Sequence, residues 1–398
     1  MKYILAILLI LFASYADIFL YRVSIVPVPP AEFLIPLFMV LFVLKYPLKD
    51  YIDILKAHTF KLLLVTLVLS VIYAVISKST TEIIKEIIVL NIISLILYVF
   101  AVHFFRTENK KITVIVMLTA FITLAGSVWY DFFIGLPKAN IDYALNLRKG
   151  GFGENPNQGS SGIKFLAFGV LLLLSKAKLS RNLIIVFMIT SVFLTFSRSG
   201  VVSVILILIF GIMNNWVQEF RINAVVLFKS FFKMLITFSI LYSILLVFSN
   251  VIKENFPGFT EGSAGQRIDL LLGKSNKSII AEDTQSGGRG DLFFSYLSDF
   301  ANNPIGYGTG YTSDQHFNSL NTHNYYLYMA VNYGFFALII YLIYLGYSMK
   351  LAIRLDHFYY SVFVVLLIFE GFISHSIFYE RAILVSLAFF DSQIYRKC

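Results

Sequence analysis

The chain has too few charged residues for a water-soluble protein of its length. Only 14% of its 398 residues are charged and 58% are hydrophobic, whereas a soluble domain carries about 25% charged residues. Apolar runs of the roughly 20 residues needed to cross a bilayer recur from end to end, with no stretch of soluble length between them. The composition therefore favours an all-α, polytopic transmembrane bundle that forms one integral membrane domain, residues 1–398.

Several common kinds of site are also missing. The single cysteine, Cys398, excludes an internal disulfide and a cysteine-based metal site. The chain has no His-x-x-x-His pair, no Asp-x-Asp cluster and no nucleotide-binding phosphate loop. We therefore expect neither a metal nor another cofactor.

The net charge of +9 does not indicate a nucleic-acid partner, because the basic residues form small groups between apolar runs. Excess Lys and Arg in cytoplasmic loops is how membrane topology is encoded. If both termini are cytoplasmic, every loop assigned to the inside is basic. About twelve spans fit this frame, near residues 3–20, 31–46, 60–77, 83–105, 112–134, 160–175, 182–197, 199–214, 231–252, 323–348, 358–377 and 380–395.

Two loops assigned to the outside are more than turns. The first, residues 135–159, is rich in Gly, Pro and Asn, which indicates tight turns with exposed backbone N–H groups. The second, residues 253–322, has a length that usually indicates a function. Within it, apolar residues at helical spacing predict a short helix from Arg289 to Phe300. Asn303-Pro304 would end this helix, and Gly306, Gly308 and Gly310 predict a flexible turn after it.

Outside arginines are the candidate anion ligands. Arg198 lies between two apolar runs, where an arginine is costly unless it faces protein, water or an anion; a snorkelling interface arginine is the alternative. Arg289 begins the loop helix, whose N-terminus itself attracts anions, although it could equally be a solvated surface residue. Arg148 and Arg267 are further candidates on the same side.

Histidine is the candidate base. His323 lies directly after the long loop, and neutral imidazole is well suited to remove a hydroxyl proton near pH 7. His316 is a competitor, and a hydrogen-bonded interface histidine is the alternative for His323. His375, Glu380 and Arg381 lie in or near the last hairpin with Glu370, an intramembrane carboxylate that we expect to have a partner.

These residues resemble the bacterial O-antigen polymerase and O-antigen ligase superfamily. The similarity lies in a Ser-Arg at a span boundary, Arg289 with its helix, the run Asn303-Pro304-Ile305-Gly306-Tyr307-Gly308-Thr309-Gly310, and His323-Asn324 with Leu327 and Gly334 following. Asn155-Pro156-Asn157 also resembles a segment common in the family. The similarity covers roughly residues 155–345.

The resemblance implies a membrane glycosyltransferase of the bacterial inner membrane whose active site faces the periplasm. The donor would be a glycan on undecaprenyl diphosphate, and the acceptor another lipid-linked glycan or lipid A-core, with a chain-length regulator as an optional further partner. By analogy, Arg198 and Arg289 would bind the diphosphate, and His323 would activate or orient the acceptor hydroxyl. The remaining predicted substrate-binding residues are Arg148, Arg267, Asn157, Tyr307, Tyr311, Asn324 and Tyr325.

Other functions stay open. Polymerase and ligase share one chemistry, and we favour polymerase because polymerases are the more numerous and diverse group. A transporter or flippase of lipid-linked glycans would place charges near the bilayer midplane on broken helices with repeat symmetry between halves, and the chain shows no convincing repeat. A non-catalytic scaffold would leave Arg198, Arg289 and His323 without a common purpose.

Overall fold

The computed structural model describes residues 2–28, 30–45, 53–138, 149–220, 289–318 and 320–395, with isolated positions between 221 and 250. In this part the chain is helical and has no β-strand, which confirms the predicted all-α class. The helices are α1 (Lys2–Ala13), α2 (Ala16–Arg22), α3 (Pro30–Lys45), α4 (His58–Ala74), α5 (Thr81–Thr107), α6 (Lys110–Phe133), α7 (Pro156–Leu173), α8 (Lys178–Leu194), α9 (Arg198–Met213), α10 (Arg289–Asn302), α11 (Tyr325–Arg354), α12 (Phe358–Gly371) and α13 (Arg381–Tyr395). Most of the predicted span 231–252 and the loop up to residue 288 lie outside the described residues.

Three of these helices, α5, α6 and α11, are long and apolar enough to cross a membrane, with 27, 24 and 30 residues. The predicted first span is instead a bent pair, because α1 and α2 meet at 68°, and this pair could form a fourth crossing. Helices α4, α9 and α12 are apolar but shorter. Length and composition thus support three or four spans, and the number of about twelve stays a prediction.

Polar residues mark the first turns of several helices. Asn109, Asn155, Ser197 and Asn324 each precede a helix and accept a hydrogen bond from a backbone N–H of its first turn. Such N-caps satisfy donors that a helix leaves open at its start. The polar residues between apolar runs therefore fix where these helices begin.

Helix α7 occupies the centre of the bundle. It contacts α6, α8, α9, α12 and α13, and every residue from Gly159 to Leu171 is buried. A helix that is buried on all sides is expected to be apolar all round. Lys164, fully buried in its middle, is the charged exception.

Lys164 is neutralised by a carboxylate from another helix. Its Nζ lies 2.5 Å from Oε2 of Glu370 near the end of α12, and it also donates to Ser203 Oγ of α9 at 3.1 Å. Ser161 of α7 donates to the other oxygen of Glu370. The prediction that Glu370 has a partner is confirmed, and the pair joins α7, α9 and α12.

Helix α11 is broken at Gly334, whose backbone (φ 80°, ψ −177°) is not helical. A turn from Pro304 to Gly308 packs into this break. The carbonyls of Val331 and Asn332 accept from the N–H groups of Tyr307 and Gly308, and Phe335 N–H donates to the Pro304 carbonyl. The turn thus satisfies backbone groups that the break would leave unpaired in an apolar interior.

The glycines of this turn allow close packing. A Cβ on Gly306 would lie 2.7 Å from the backbone nitrogen of Gly334, and one on Gly308 would lie 2.5 Å from Cα of Ser77, after α4. Both have φ near 100°, a region that favours glycine. The prediction of a flexible turn is therefore wrong: the segment is held between α4 and α11.

We expect Gly334→Ala to destabilise the protein by about 1–3 kcal/mol, the usual cost of a strained backbone. The added Cβ would lie 2.2 Å from the Ile305 carbonyl oxygen at a positive φ. Gly346→Ala, in the same helix with nothing within 4 Å of its added Cβ, is the matched control and should be neutral or stabilising. Thermal unfolding of the detergent-purified variants measures both, and equal melting temperatures would contradict the prediction.

Candidate active site

The candidate residues that the structure describes lie at one end of the bundle, here called the loop end. It comprises the C-termini of α4, α6, α8 and α12, the N-termini of α5, α7, α9, α11 and α13, and the segments that join them. Hydrogen bonds tie this end together: Ser77 Oγ donates to the Thr309 carbonyl at 2.7 Å, and Thr80 N–H donates to Asp314 at 3.0 Å. The long loop after α10 is therefore bonded to the segment between α4 and α5.

Arg198 is the first residue of α9 and is exposed. Ser197 caps the helix by accepting from Gly200 N–H at 3.3 Å, and its hydroxyl donates to Asn157 Oδ1 at 2.9 Å. Asn157 lies in the first turn of α7. The structure thus brings Asn157, a predicted substrate-binding residue, beside the helix start that carries Arg198.

A chain of polar contacts continues from Asn157 across the loop end. Its neighbour Gln158 donates to Glu380 Oε2 at 2.7 Å, and Tyr15 donates to the same oxygen at 2.7 Å. The other oxygen of Glu380 accepts from Ser376 at 3.1 Å. Burial raises the pKa of Glu380, and the hydrogen bonds from Tyr15 and Gln158 act against this shift.

Ser376 belongs to the turn between α12 and α13, and so does His375, which reaches His323. The two imidazole rings meet edge to face with centroids 5.8 Å apart. Sequence reasoning noted His375 and Glu380 only as charged or titratable residues near the last hairpin and did not consider Gln158. Their only sequence signal was polarity beside apolar runs.

His323 has a left-handed backbone with φ 45° and is half-buried. A positive φ is uncommon for a residue other than glycine and clusters at functional sites. The neighbours of His323 hold this conformation, because Thr322 Oγ1 donates to the carbonyl of Asn324 at 3.0 Å. The following helix then begins at Tyr325.

Two predicted binding residues have structural contacts instead. Asn324 Oδ1 accepts from Leu327 N–H at 3.1 Å as the N-cap of α11. The Tyr325 ring is 1% exposed and packs against Tyr341 and Phe378. The prediction that Tyr325 binds substrate does not hold in this structure, because protein covers the ring.

Tyr307 and Tyr311 do form an accessible aromatic surface. Their rings stack with centroids 4.3 Å apart and an angle of 14°, and Phe317 extends the stack from Tyr311 at 5.4 Å. Both tyrosines are half-buried and Phe317 is 44% exposed. Aromatic faces of this kind can take a sugar ring.

Helix α10 confirms the predicted loop helix, which ends before Asn303-Pro304. Tyr296 is its buried contact, packed against Leu327 and Val331 of α11. Of its apolar residues, Leu292, Tyr296 and Phe300 pack inward, whereas Phe293 and Leu297 are 37% and 41% exposed.

The other predicted arginines are less completely placed. Arg289 begins α10, but its side chain lies outside the described part of the chain, and so do Arg148 and Arg267. His316, the competitor of His323, is 75% exposed in its side chain, and its Nδ1 lies 2.8 Å from Asp314 Oδ1. Among the described residues no group of three His, Cys, Asp or Glu side chains could hold a metal ion.

Comparison with known proteins agrees with the motifs. Residues 183–342 match the family described as O-antigen ligase. The match confirms the resemblance to the O-antigen ligase and polymerase superfamily. It supports a membrane enzyme of glycosyltransferase type that acts on lipid-linked glycans in lipopolysaccharide biosynthesis. No curated protein matches the chain.

We expect the Lys164–Glu370 pair to hold the site's helices in place. Lys164→Met alone should cost about 3–5 kcal/mol, because it leaves a buried carboxylate without its partner. Adding Glu370→Gln should restore most of this loss while keeping an acceptor for Ser161. Thermal unfolding measures the effect, and Lys56→Met, in the exposed pair with Asp53, is a control that should leave the melting temperature unchanged. A single variant as stable as wild type would contradict the prediction.

Proposed function

We propose that this protein is a surface-polysaccharide polymerase of the O-antigen type. It transfers glycan from undecaprenyl diphosphate to a lipid-linked acceptor glycan on the periplasmic face of a bacterial inner membrane. The observation that carries the proposal is the family match, because residues 183–342 include Arg198, Arg289 and His323.

Arg198 and Arg289 act on the leaving group. As the bond between the sugar and the diphosphate breaks, negative charge grows on the diphosphate oxygen, and fixed guanidinium groups stabilise that charge. Both arginines begin helices, so the macrodipoles of α9 and α10 add positive potential at these positions. The capping bond of Ser197 and its contact with Asn157 keep the start of α9 in place.

His323 acts on the acceptor. Its imidazole takes the proton of the acceptor hydroxyl as the oxygen attacks the anomeric carbon of the donor. The donor carries its own diphosphate leaving group, so we propose that transfer needs neither nucleotide nor metal. Tyr307 and Tyr311 supply stacked rings for the sugars of the substrate.

An O-antigen ligase is the second candidate, because the matching family carries that description. The same residues would then transfer the completed chain to lipid A-core. The donor, the leaving group and the proposed roles of Arg198, Arg289 and His323 are the same in both reactions.

His323→Ala should lower transfer by about 10²–10⁴-fold, the usual contribution of a general base. Arg198→Ala should lower it by about 10²–10³-fold, comparable to the loss of one donor to a developing negative charge. Each variant is expressed in a strain that lacks the wild-type gene, and long-chain polysaccharide is measured on a lipopolysaccharide gel.

His316→Ala is the matched control for the histidine, because this exposed residue bonds Asp314 at the same end of the bundle. It should keep wild-type banding. Wild-type banding from His323→Ala in protein that still inserts would contradict the role of His323. Loss in His316→Ala alone would make His316 the base.

Gene deletion should separate polymerase from ligase. We expect it to leave lipid A-core with a single repeat unit, because only chain extension is lost. A strain in which no repeat is attached to lipid A-core would instead identify a ligase. Complementation with the intact gene should restore the full ladder in either case.

A further inference from the structure

The turn from Phe372 to Glu380, between α12 and α13, holds a histidine that the proposed transfer does not use. The turn is fixed by hydrogen bonds: Ser374 N–H donates to the Glu370 carbonyl at 2.8 Å, and Glu380 N–H donates to the Ser376 carbonyl at 3.0 Å. Ile377 and Phe378 anchor it in the core, with exposed fractions of 0% and 2%. His375 is therefore held on a rigid support.

This support directs His375 to His323. The centroid distance of 5.8 Å and the angle of 70° are those of an edge-to-face ring contact. The Tyr328 ring lies 6.3 Å from that of His375, and its hydroxyl is bonded to the Tyr379 hydroxyl at 2.9 Å. His375 therefore contacts both the imidazole of His323 and the ring of Tyr328.

One polar atom of His375 has no partner in the part of the chain that the structure describes. Its Nδ1 is buried, and none of the described residues forms a hydrogen bond with it. Leaving such an atom unpaired is costly, and each case in a native structure calls for an explanation. A group that arrives with the substrate would supply the missing partner.

The protonation state of His375 suits a hydroxyl. Burial, with the neighbouring imidazole of His323 as a second cause, lowers the pKa of His375 to about 4. The ring is thus neutral near pH 7, and a neutral imidazole has one donor and one acceptor nitrogen. A hydroxyl can form a hydrogen bond with Nδ1 whether this nitrogen carries the proton or not. A phosphate oxygen could pair with Nδ1 only if Nδ1 carried the proton.

We propose that His375 binds the acceptor sugar, with its Nδ1 hydrogen-bonded to a hydroxyl next to the one that His323 deprotonates. The inference rests on the proposed function and names a second contact of the same site. In the transfer step, the acceptor proton passes to His323 and a bond forms between the acceptor oxygen and the anomeric carbon. The bond between the donor sugar and the diphosphate breaks, and the diphosphate keeps the electron pair. His375 neither gains nor loses a proton in this step.

The test uses purified full-length protein with the organism's own undecaprenyl-diphosphate-linked repeat unit as donor and a lipid-linked repeat unit without the diphosphate, which cannot act as a donor, as acceptor. His375→Phe fills the space without a ring nitrogen. It should raise the acceptor KM roughly tenfold, the effect of losing one hydrogen bond to a buried group. The donor KM should not change, because Arg198 and Arg289 hold the diphosphate.

Two amide substitutions, His375→Asn and His375→Gln, identify which ring nitrogen binds the acceptor. Asn places its polar atoms near the position of Nδ1, whereas Gln reaches toward Nε2. We expect His375→Asn to have an acceptor KM closer to wild type than His375→Gln or His375→Phe. If the phenylalanine variant fails to fold, the comparison of the acceptor KM between the Asn and Gln variants still tests whether His375 Nδ1 binds the acceptor.

The outcomes separate this inference from the proposed function. Wild-type protein that transfers no glycan would overturn both. Wild-type transfer together with an unchanged acceptor KM in His375→Phe would overturn only the role of His375, and so would an equal rise in the donor and acceptor KM. An acceptor-specific rise that the Asn variant reverses supports it.

Discussion

A lysine and a glutamate buried among apolar helices constrain three of the helices that carry the candidate site. Lys164 and Glu370 are nearly inaccessible, with side chains 0% and 4% exposed, and neither charge could stay buried without the other. Their bond fixes α7 against α12, and Ser203 adds α9. The start of α7 carries Asn157, the start of α9 carries Arg198, and the turn after α12 carries His375. We interpret the pair as fixing position rather than adding net stability, because desolvating two charges offsets most of their attraction.

The break in α11 follows the same rule, because its buried backbone groups also need polar partners. A helix interrupted in an apolar interior leaves carbonyl and N–H groups without partners, and these are costly. Residues 304–308 of the long loop supply the partners, so the loop and the helix form one unit. That unit then extends to Ser77 and Thr80 beyond α4. The loop end is consequently held by hydrogen bonds between distant parts of the chain, in which a main-chain group pairs with a side chain or with another main-chain group.

Local signals in the sequence located much of this arrangement. The helical class, helix α10, its end before Asn303-Pro304 and the boundary at Ser197-Arg198 all follow from spacing and capping residues. The bend between α1 and α2 did not, because it occurs at Tyr15 (φ 59°) inside an apolar run without glycine or proline. The packed glycine turn was misread because glycine permits both freedom and close approach.

Local spacing and capping residues do not predict which way a side chain points or which distant residues it contacts. An aromatic residue at a helix start has the same spacing whether it faces the core, as Tyr325 does, or a substrate. Glu380 accepts hydrogen bonds from Gln158 and Tyr15, which lie 222 and 365 positions earlier in the chain. Only the packing of α1, α7 and α13 brings these residues together.

Tyr296 gives the aromatic surface a fixed position. Its hydroxyl donates to the carbonyls of Thr312 and Leu320, at 3.3 and 2.6 Å, and thereby clamps both ends of the segment that separates Tyr311 from His323. A sugar stacked on the outer face of this aromatic surface would therefore lie at a set distance from the base. Under the proposed function, the fixed distance between this aromatic surface and His323 would help to select which acceptor hydroxyl forms the new glycosidic linkage. This selection would act in addition to any recognition of the reacting sugar itself.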